Sequence, residues 1–202
     1  MQLDPQAMAS GALYRFMISA IVPRPIAFVS TIGAGGGFNV APFSYFAPLA
    51  SRPPLLGISI NERSSGPKDT LRNLRASGDF VVNIVNEPML KAMVRASGDW
   101  TADQSEFELT GLTPVASQRV RAPRVGEAPV QFECRLEREV PLGGTTLVVG
   151  EIVLVHADDE LMRDGLMDPE RLRAVGRLGA DGYTIVRDVV REPRPVVPPA
   201  GG

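Results

Sequence analysis

The segment from Pro23 to Phe46, PRPIAFVSTIGAGGGFNVAPFSYF, constrains the fold more than any other part of the chain. Ile26 to Ile32 is apolar and β-branched, Gly33 to Gly37 supplies four glycines in five residues, and Phe38 to Phe46 returns with apolar and small polar residues mixed. Two extended runs around a glycine-rich turn specify a hairpin, and with it antiparallel pairing. A glycine-rich run after a strand also fits a nucleotide-binding loop, but the continuation argues against one. A P-loop needs Gly-Lys-Ser/Thr opening a helix, and a dinucleotide fold needs a helix whose N-terminus meets the pyrophosphate. Phe38-Asn39-Val40-Ala41-Pro42 has a proline in mid-segment and no helical periodicity.

Strand-type runs continue along the chain. Beside Ile26 to Ile32 and Phe38 to Leu49 they fall at Leu55 to Ile60, Phe80 to Val85, Val130 to Val140, Thr145 to His156 and Tyr183 to Val189. The helical segments are short. One runs from Gly11 to Ala20, after Ser10; one is capped by Asp69 or Thr70, passes through Leu71, Leu74 and Arg75 and stops at Gly78; one runs from Pro88 to Ser97 and stops at Gly98. Strands that do not alternate with long helices cannot form βαβ units, so a mainly β fold is expected: an antiparallel barrel with short peripheral helices. Nothing in the middle of the 202 residues reads as a linker, and residues 1–190 are expected to form a single domain. The tail 191–202, REPRPVVPPAGG, has four prolines and no packing pattern and is expected to be an extended arm. Pro195 and Pro198 also make a PxxP match, but so short a match arises by chance, and a plain tail or an arm across a partner subunit is the expectation.

With 21 Lys+Arg against 23 Asp+Glu, no global field would recruit nucleic acid or an anionic membrane. No run approaches the roughly 18 apolar residues of a membrane span, and MQLDPQAMAS lacks the basic start and apolar core of a signal peptide, so a cytoplasmic protein is expected. From Val130 to Glu137 the apolar Val130, Phe132, Cys134 and Leu136 alternate with Gln131, Glu133, Arg135 and Glu137, which predicts one buried and one wet face. Cys134, the single cysteine, then lies in the core and cannot form an internal disulfide. His156 is the single histidine, so a multi-histidine metal site is ruled out, and the residue is expected to be structural or pocket-lining. No metal is expected.

Two stretches carry the candidate chemistry. In Asn61 to Asn73, NERSSGPKDTLRN, the residues Ser64, Ser65, Gly66, Lys68 and Thr70 place hydroxyls and an ammonium at a helix start, where free N–H groups favour an anion. Two readings fit: a phosphate cradle, or a capped helix start with a solvated lysine. Asp69 beside a phosphate repels it unless it caps the helix or pairs with Lys68 or Arg72. In Asn39 to Phe46, amide and hydroxyl side chains on a strand need partners when buried. Pro42 removes a ladder donor, which predicts an edge strand or a bulge with backbone groups left free for a ligand.

PRPIAFVST, NVAPFSYF, SSGPKDTLRN, FVVNIV, the FEC strand, VVGEIVLVH and GRLGADGY, in this order from Pro23 to Tyr183, resemble the flavin reductase-like family of FMN-binding split-barrel proteins. The resemblance implies a Greek-key split β-barrel, a homodimer with FMN near the subunit interface, and reduction by NADH or NADPH in the enzymatic members. It matches Asn39, Ala41, Ser44 and Tyr45 to the segment lining the isoalloxazine ring. Ser30, Thr31, Ser64, Ser65, Lys68 and Thr70 match positions near the ribityl phosphate, Arg24 is a further candidate for the phosphate or an adjacent nucleotide, and Arg177 and Tyr183 are candidates to close the pocket. The implied activity is hydride transfer from NAD(P)H to flavin, with a flavin-dependent monooxygenase as a possible recipient. Alternatives are an FMN-binding or electron-transfer protein without turnover, and a related split-barrel oxidase. No catalytic side chain is singled out, because the cofactor supplies the difficult chemistry.

Overall fold

In a computed structural model of the chain, residues 1–9, 11–63, 66–101 and 104–195 are described. Ser10, Ser64, Ser65 and Pro198, named above, lie outside them. The elements are α1 (Ala12–Ala20), β1 (Arg24–Pro25), β2 (Ala27–Ile32), β3 (Phe38–Phe43), β4 (Phe46–Ser51), β5 (Pro54–Asn61), α2 (Asp69–Ser77) and β6 (Asp79–Ile84). Then come α3 (Leu90–Ala96), α4 (Glu106–Thr110), β7 (Pro114–Val115), β8 (Arg124–Val125), β9 (Val130–Pro141) and β10 (Thr145–Ala157). Last are β11 (Met162–Arg163), β12 (Leu166–Met167), α5 (Pro169–Leu172), β13 (Val175–Arg177) and β14 (Tyr183–Ile185).

Seven strands form one antiparallel sheet in the order β3-β2-β6-β9-β10-β5-β4, the mainly β split barrel with short helices that the sequence predicts. The hairpin forms around the glycine turn, with Ile32 opposite Phe38 and Ala27 opposite Phe43. Side chains from Ile26, just before β2, to Val29 alternate between two cores. Ala27 and Val29 pack with Phe43, Ile58, Phe80, Val82, Cys134 and the α2 residues Leu71 and Leu74, whereas Ile26 and Phe28 pack with Met89, Met93 and Phe107 of the helices outside. Burial on both faces explains why β2 and β6 read as continuous apolar runs. Gly150 of β10 is required by this packing, because a Cβ there would meet Phe80 Cζ.

The expected single strand from Phe38 to Leu49 is two strands. β3 and β4 follow each other in the chain yet hold opposite edges of the sheet, so Ser44 and Tyr45 form the corner between them. Tyr45 O accepts from Ser59 N at 2.8 Å and ties the corner to β5. Helix α2 ends at Gly78 as expected, in the left-handed region at φ 73°. Neither Asp69 nor Thr70 caps it: the N-cap is Lys68 with no side-chain bond, Asp69 pairs with Arg72, and Thr70 is buried. Residues 87–89 form a 3-10 turn ahead of α3, and the last expected strand stops at Ile185.

The alternation in β9 holds for the apolar residues but not for their neighbours, since Gln131 and Glu133 are buried as well. The segment between β7 and β9 folds over that face and supplies partners. Gln131 Nε2 donates to Val125 O and Ala128 O, and Glu133 accepts from Gln118 N and Arg119 N. Burial pushes the Cys134 thiol far above its ordinary range, which makes it inert. Among the described residues no helix is long and apolar enough to cross a membrane, and no group of three His, Cys, Asp or Glu is placed to hold a metal.

Candidate functional site

β3 lies at a sheet edge, as Pro42 predicts, and α2 starts beside it. Between them Asn39, Ala41, Phe43, Lys68 and Thr70 surround a hollow of about 70 Å³, with Arg63, Trp100 and Glu106 at its rim. Thr70 is 1 % exposed, and its hydroxyl accepts from Asn39 Nδ2 at 3.5 Å. The Lys68 ammonium sits 5.5 Å over the Phe43 ring, and burial, then the Arg63 charge, lowers its pKa against a smaller opposing pull from Asp99. Arg63 itself pairs with Asp99 at 2.9 Å. Among the described residues Lys68 has no carboxylate at ion-pair distance, and the neighbouring Asp69 is taken up by Arg72. A half-buried cation with no counter-ion among the described residues, beside an uncapped helix start, is an arrangement that favours an anion.

The edge of β3 is less free than its proline suggests. Ser105 Oγ donates to Phe38 O at 3.0 Å, and Val40 N donates to a Glu106 carboxylate oxygen at 3.2 Å, so α4 covers that end. Burial raises the Glu106 pKa, and its backbone hydrogen bonds offset this in part. Alternation along the strand places Pro42 with Phe38 and Val40, facing away from β2, where a missing N–H costs no ladder bond.

At the corner, Arg24, Ser44, Tyr45 and Phe46 with Met17 and Ile21 of the α1 region line a second hollow of about 260 Å³. Arg24 is 6 % exposed and donates to Ile18 O at 2.6 Å, Ile21 O at 2.9 Å, Leu178 O at 3.0 Å and Ser44 Oγ at 3.4 Å. It therefore fastens α1 and the loop after β13 to the corner. β1 pairs with β13, which in turn pairs with β14, so Arg24 faces Arg177 in the ladder and Arg177 faces Tyr183. The Arg177 guanidinium lies over the Tyr183 ring, 4.5 Å from its centre.

Of the residues matched to the flavin site, Asn39, Ala41, Lys68 and Thr70 converge on the first hollow and Arg24, Ser44 and Tyr45 on the second. Arg177 and Tyr183 stand in the small sheet behind Arg24. Ser30 and Thr31 line neither. Both are fully buried: Ser30 Oγ donates to Pro123 O at 2.5 Å, and Thr31 Oγ1 accepts from Asn73 Nδ2 at 3.1 Å. Arg63, Trp100 and Glu106 are rim residues the sequence reading passed over. Arg63 had a signal, its place beside the serine pair; Trp100 and Glu106 reach the rim only through tertiary packing.

A model of the flavin reductase like domain matches residues 18–176. An uncharacterized protein of Halalkalibacterium halodurans is 37% identical over 98% of each chain. The crystal structure of nitrilotriacetate monooxygenase component B from Bacillus cereus superposes with a TM-score of 0.92 at 32% identity, covering 95% of this chain and 98% of that one. The Pseudomonas fluorescens 2-nitrobenzoate 2-nitroreductase superposes with a TM-score of 0.86 at 31% identity over the whole of both chains.

Proposed function

The chain belongs to the flavin reductase like domain family, and from that membership we propose that it is a cytoplasmic, homodimeric, FMN-binding oxidoreductase that uses NADH or NADPH. The observation that carries the reading is the Lys68 ammonium, half-buried without a carboxylate partner among the described residues at the start of α2. Its donor set suits a phosphate monoester. The hollow of about 70 Å³ has room for a phosphate and not for a three-ring system, which leaves the ring for the outer surface from Ala41 to Tyr45.

Lys68, the Thr70 hydroxyl and the free N–H groups of α2 would hold the phosphate, with Ser64 and Ser65 next to them in the chain. Asn39, Ala41, Ser44 and Tyr45 would line the ring. Ser30 and Thr31 would act from behind, through the hydrogen bonds that fix β2 and Asn73, and Arg24, Arg177 and Tyr183 would brace the corner. When bound, a flavin accepts a hydride from reduced nicotinamide and passes the electrons on. The protein then has to hold two rings in register and keep water from between them. The kinship with a monooxygenase component supports a flavin-dependent monooxygenase as recipient.

Purified protein mixed anaerobically with NADH or NADPH in the presence of FMN is expected to bleach the flavin band at a rate that saturates with nucleotide. Flavin that binds but is bleached by neither nucleotide would favour a carrier over a reductase. Unchanged FMN fluorescence on adding protein would remove the flavin reading altogether.

A further inference from the structure

A cavity of about 790 Å³ lies apart from both hollows and shares no lining residue with them. Its walls include Asn86, Arg124, Gln131 and His156. His156 Nε2 is 2.6 Å from Glu133 Oε1, and the Glu133 side chain is wholly buried. Gln118 N donates to the same oxygen at 2.8 Å, and Arg119 N donates to the other at 2.6 Å. Burial alone would push the Glu133 carboxyl up, but these hydrogen bonds and the His156 ring outweigh it and hold the group below its ordinary pKa. Glu133 is therefore ionised at neutral pH, and it fixes the proton of His156 on Nε2. The other ring nitrogen, Nδ1, has no hydrogen bond among the described residues.

Arg124 carries a charge without a counter-ion. Its Nε and Nη2 donate to Ala116 O at 3.3 and 3.1 Å and its Nη1 to Gln131 Oε1 at 3.4 Å, which leaves one N–H on each Nη, and among the described residues no carboxylate lies at ion-pair distance. Glu87 pairs with Arg173 and Arg187, and Arg171 with Asp168. Glu127 and Asp158 have no cation at ion-pair distance among the described residues and are turned to backbone donors, Thr113 N and Glu160 N. Asn86 Oδ1 is buried without a partner among the described residues, an acceptor that a ligand donor would satisfy.

We propose that this cavity is a second binding site, for a small organic molecule carrying an oxyanion. Arg124 supplies the charge for the oxyanion, and His156, whose proton Glu133 holds on Nε2, presents Nδ1 as an acceptor to a hydroxyl or amino group of the same molecule. A cavity of this size has room for a ring or sugar beside the anionic group. Both a carboxylate and a phosphate present the same oxygens to an arginine fork.

His156 is the only histidine, so its imidazole protons give an NMR signal that needs no assignment strategy. The full chain, with and without saturating FMN, is titrated with 3-hydroxybenzoate in one series and inorganic phosphate in another. The expected result is a saturable shift of the His156 resonances with at least one probe, unchanged by FMN; the probe that saturates at lower concentration identifies the oxyanion. Arg124→Ala is expected to weaken that probe about tenfold or more, as loss of a charged hydrogen-bond pair does. Arg124→Lys, which keeps the charge and loses the fork, gives a smaller loss and serves if the alanine variant does not fold. No saturable shift with either probe overturns the proposal. So does a shift that FMN displaces, or one that both Arg124 variants leave unchanged. FMN fluorescence read on the same samples reports the flavin site independently.

Discussion

Lys68, the N-cap of α2, is half-buried with its ammonium over the Phe43 ring and no ion-pair partner among the described residues, and burial lowers its pKa. A phosphate would restore the charge. Lys68→Ala is therefore expected to cost FMN about 1.5–3 kcal/mol of affinity while leaving riboflavin nearly unchanged, which fluorescence titration measures. Equal loss for both ligands would refute a phosphate contact. For the wild type, FMN affinity should fall as pH rises through the lowered lysine range, with no matching trend for riboflavin. Glu133 carries the opposite sign. Its folded pKa lies below the unfolded value, so its contribution is complete above the unfolded value and is lost as pH falls through the folded one. Glu133→Ala leaves the His156 ring and two backbone N–H groups without their acceptor and is expected to cost about 3–5 kcal/mol in urea unfolding at pH 7. The difference from wild type should shrink towards acid pH. Lys68 and Thr70 were legible in the sequence because a strand, two serines and a helix start stand in a row. Glu133 was not, because the segment that covers it arrives from elsewhere and leaves no trace in the local alternation.

The strands were legible where two-sided burial or regular alternation imposes a pattern. The corner at Ser44 and Tyr45 was hidden, because a chain that changes from one sheet edge to the other keeps the same apolar composition on both sides. Ser30 and Thr31 were placed on the right strand, but with both faces of β2 buried, nothing local says which hydroxyl meets a ligand. Closeness of packing is also silent in sequence. Gly150 shows this: the Cα hydrogen that stands where other residues carry Cβ faces the Phe80 ring, and a methyl carbon there would be 2.4 Å from Cζ. Gly150→Ala is expected to destabilise by about 1–3 kcal/mol, and Phe80→Leu in the same chain should cost less than the sum of the two single changes. Strict additivity in thermal unfolding would mean the sheet relaxes without involving the ring.

At the scale of the molecule, no residue of α1 is buried, and Tyr14, Phe16 and Ile21 are 51%, 50% and 58% exposed. β4 beside it is an exposed sheet edge carrying Leu49. Apolar surface and an open edge on one chain are what the proposed homodimer would cover. Light scattering should give twice the chain mass of 21.7 kDa, and Ile21→Asp combined with Phe16→Ser should halve it and weaken FMN. A wild-type monomer at micromolar concentration would refute the dimer. Trp100, the only tryptophan, stands at the rim of the Lys68 hollow, its ring against Gly98. Indole emission overlaps flavin absorption, so the intrinsic fluorescence of the untouched chain is a gauge of that one site: each molecule carries its own donor for energy transfer, with no label to attach.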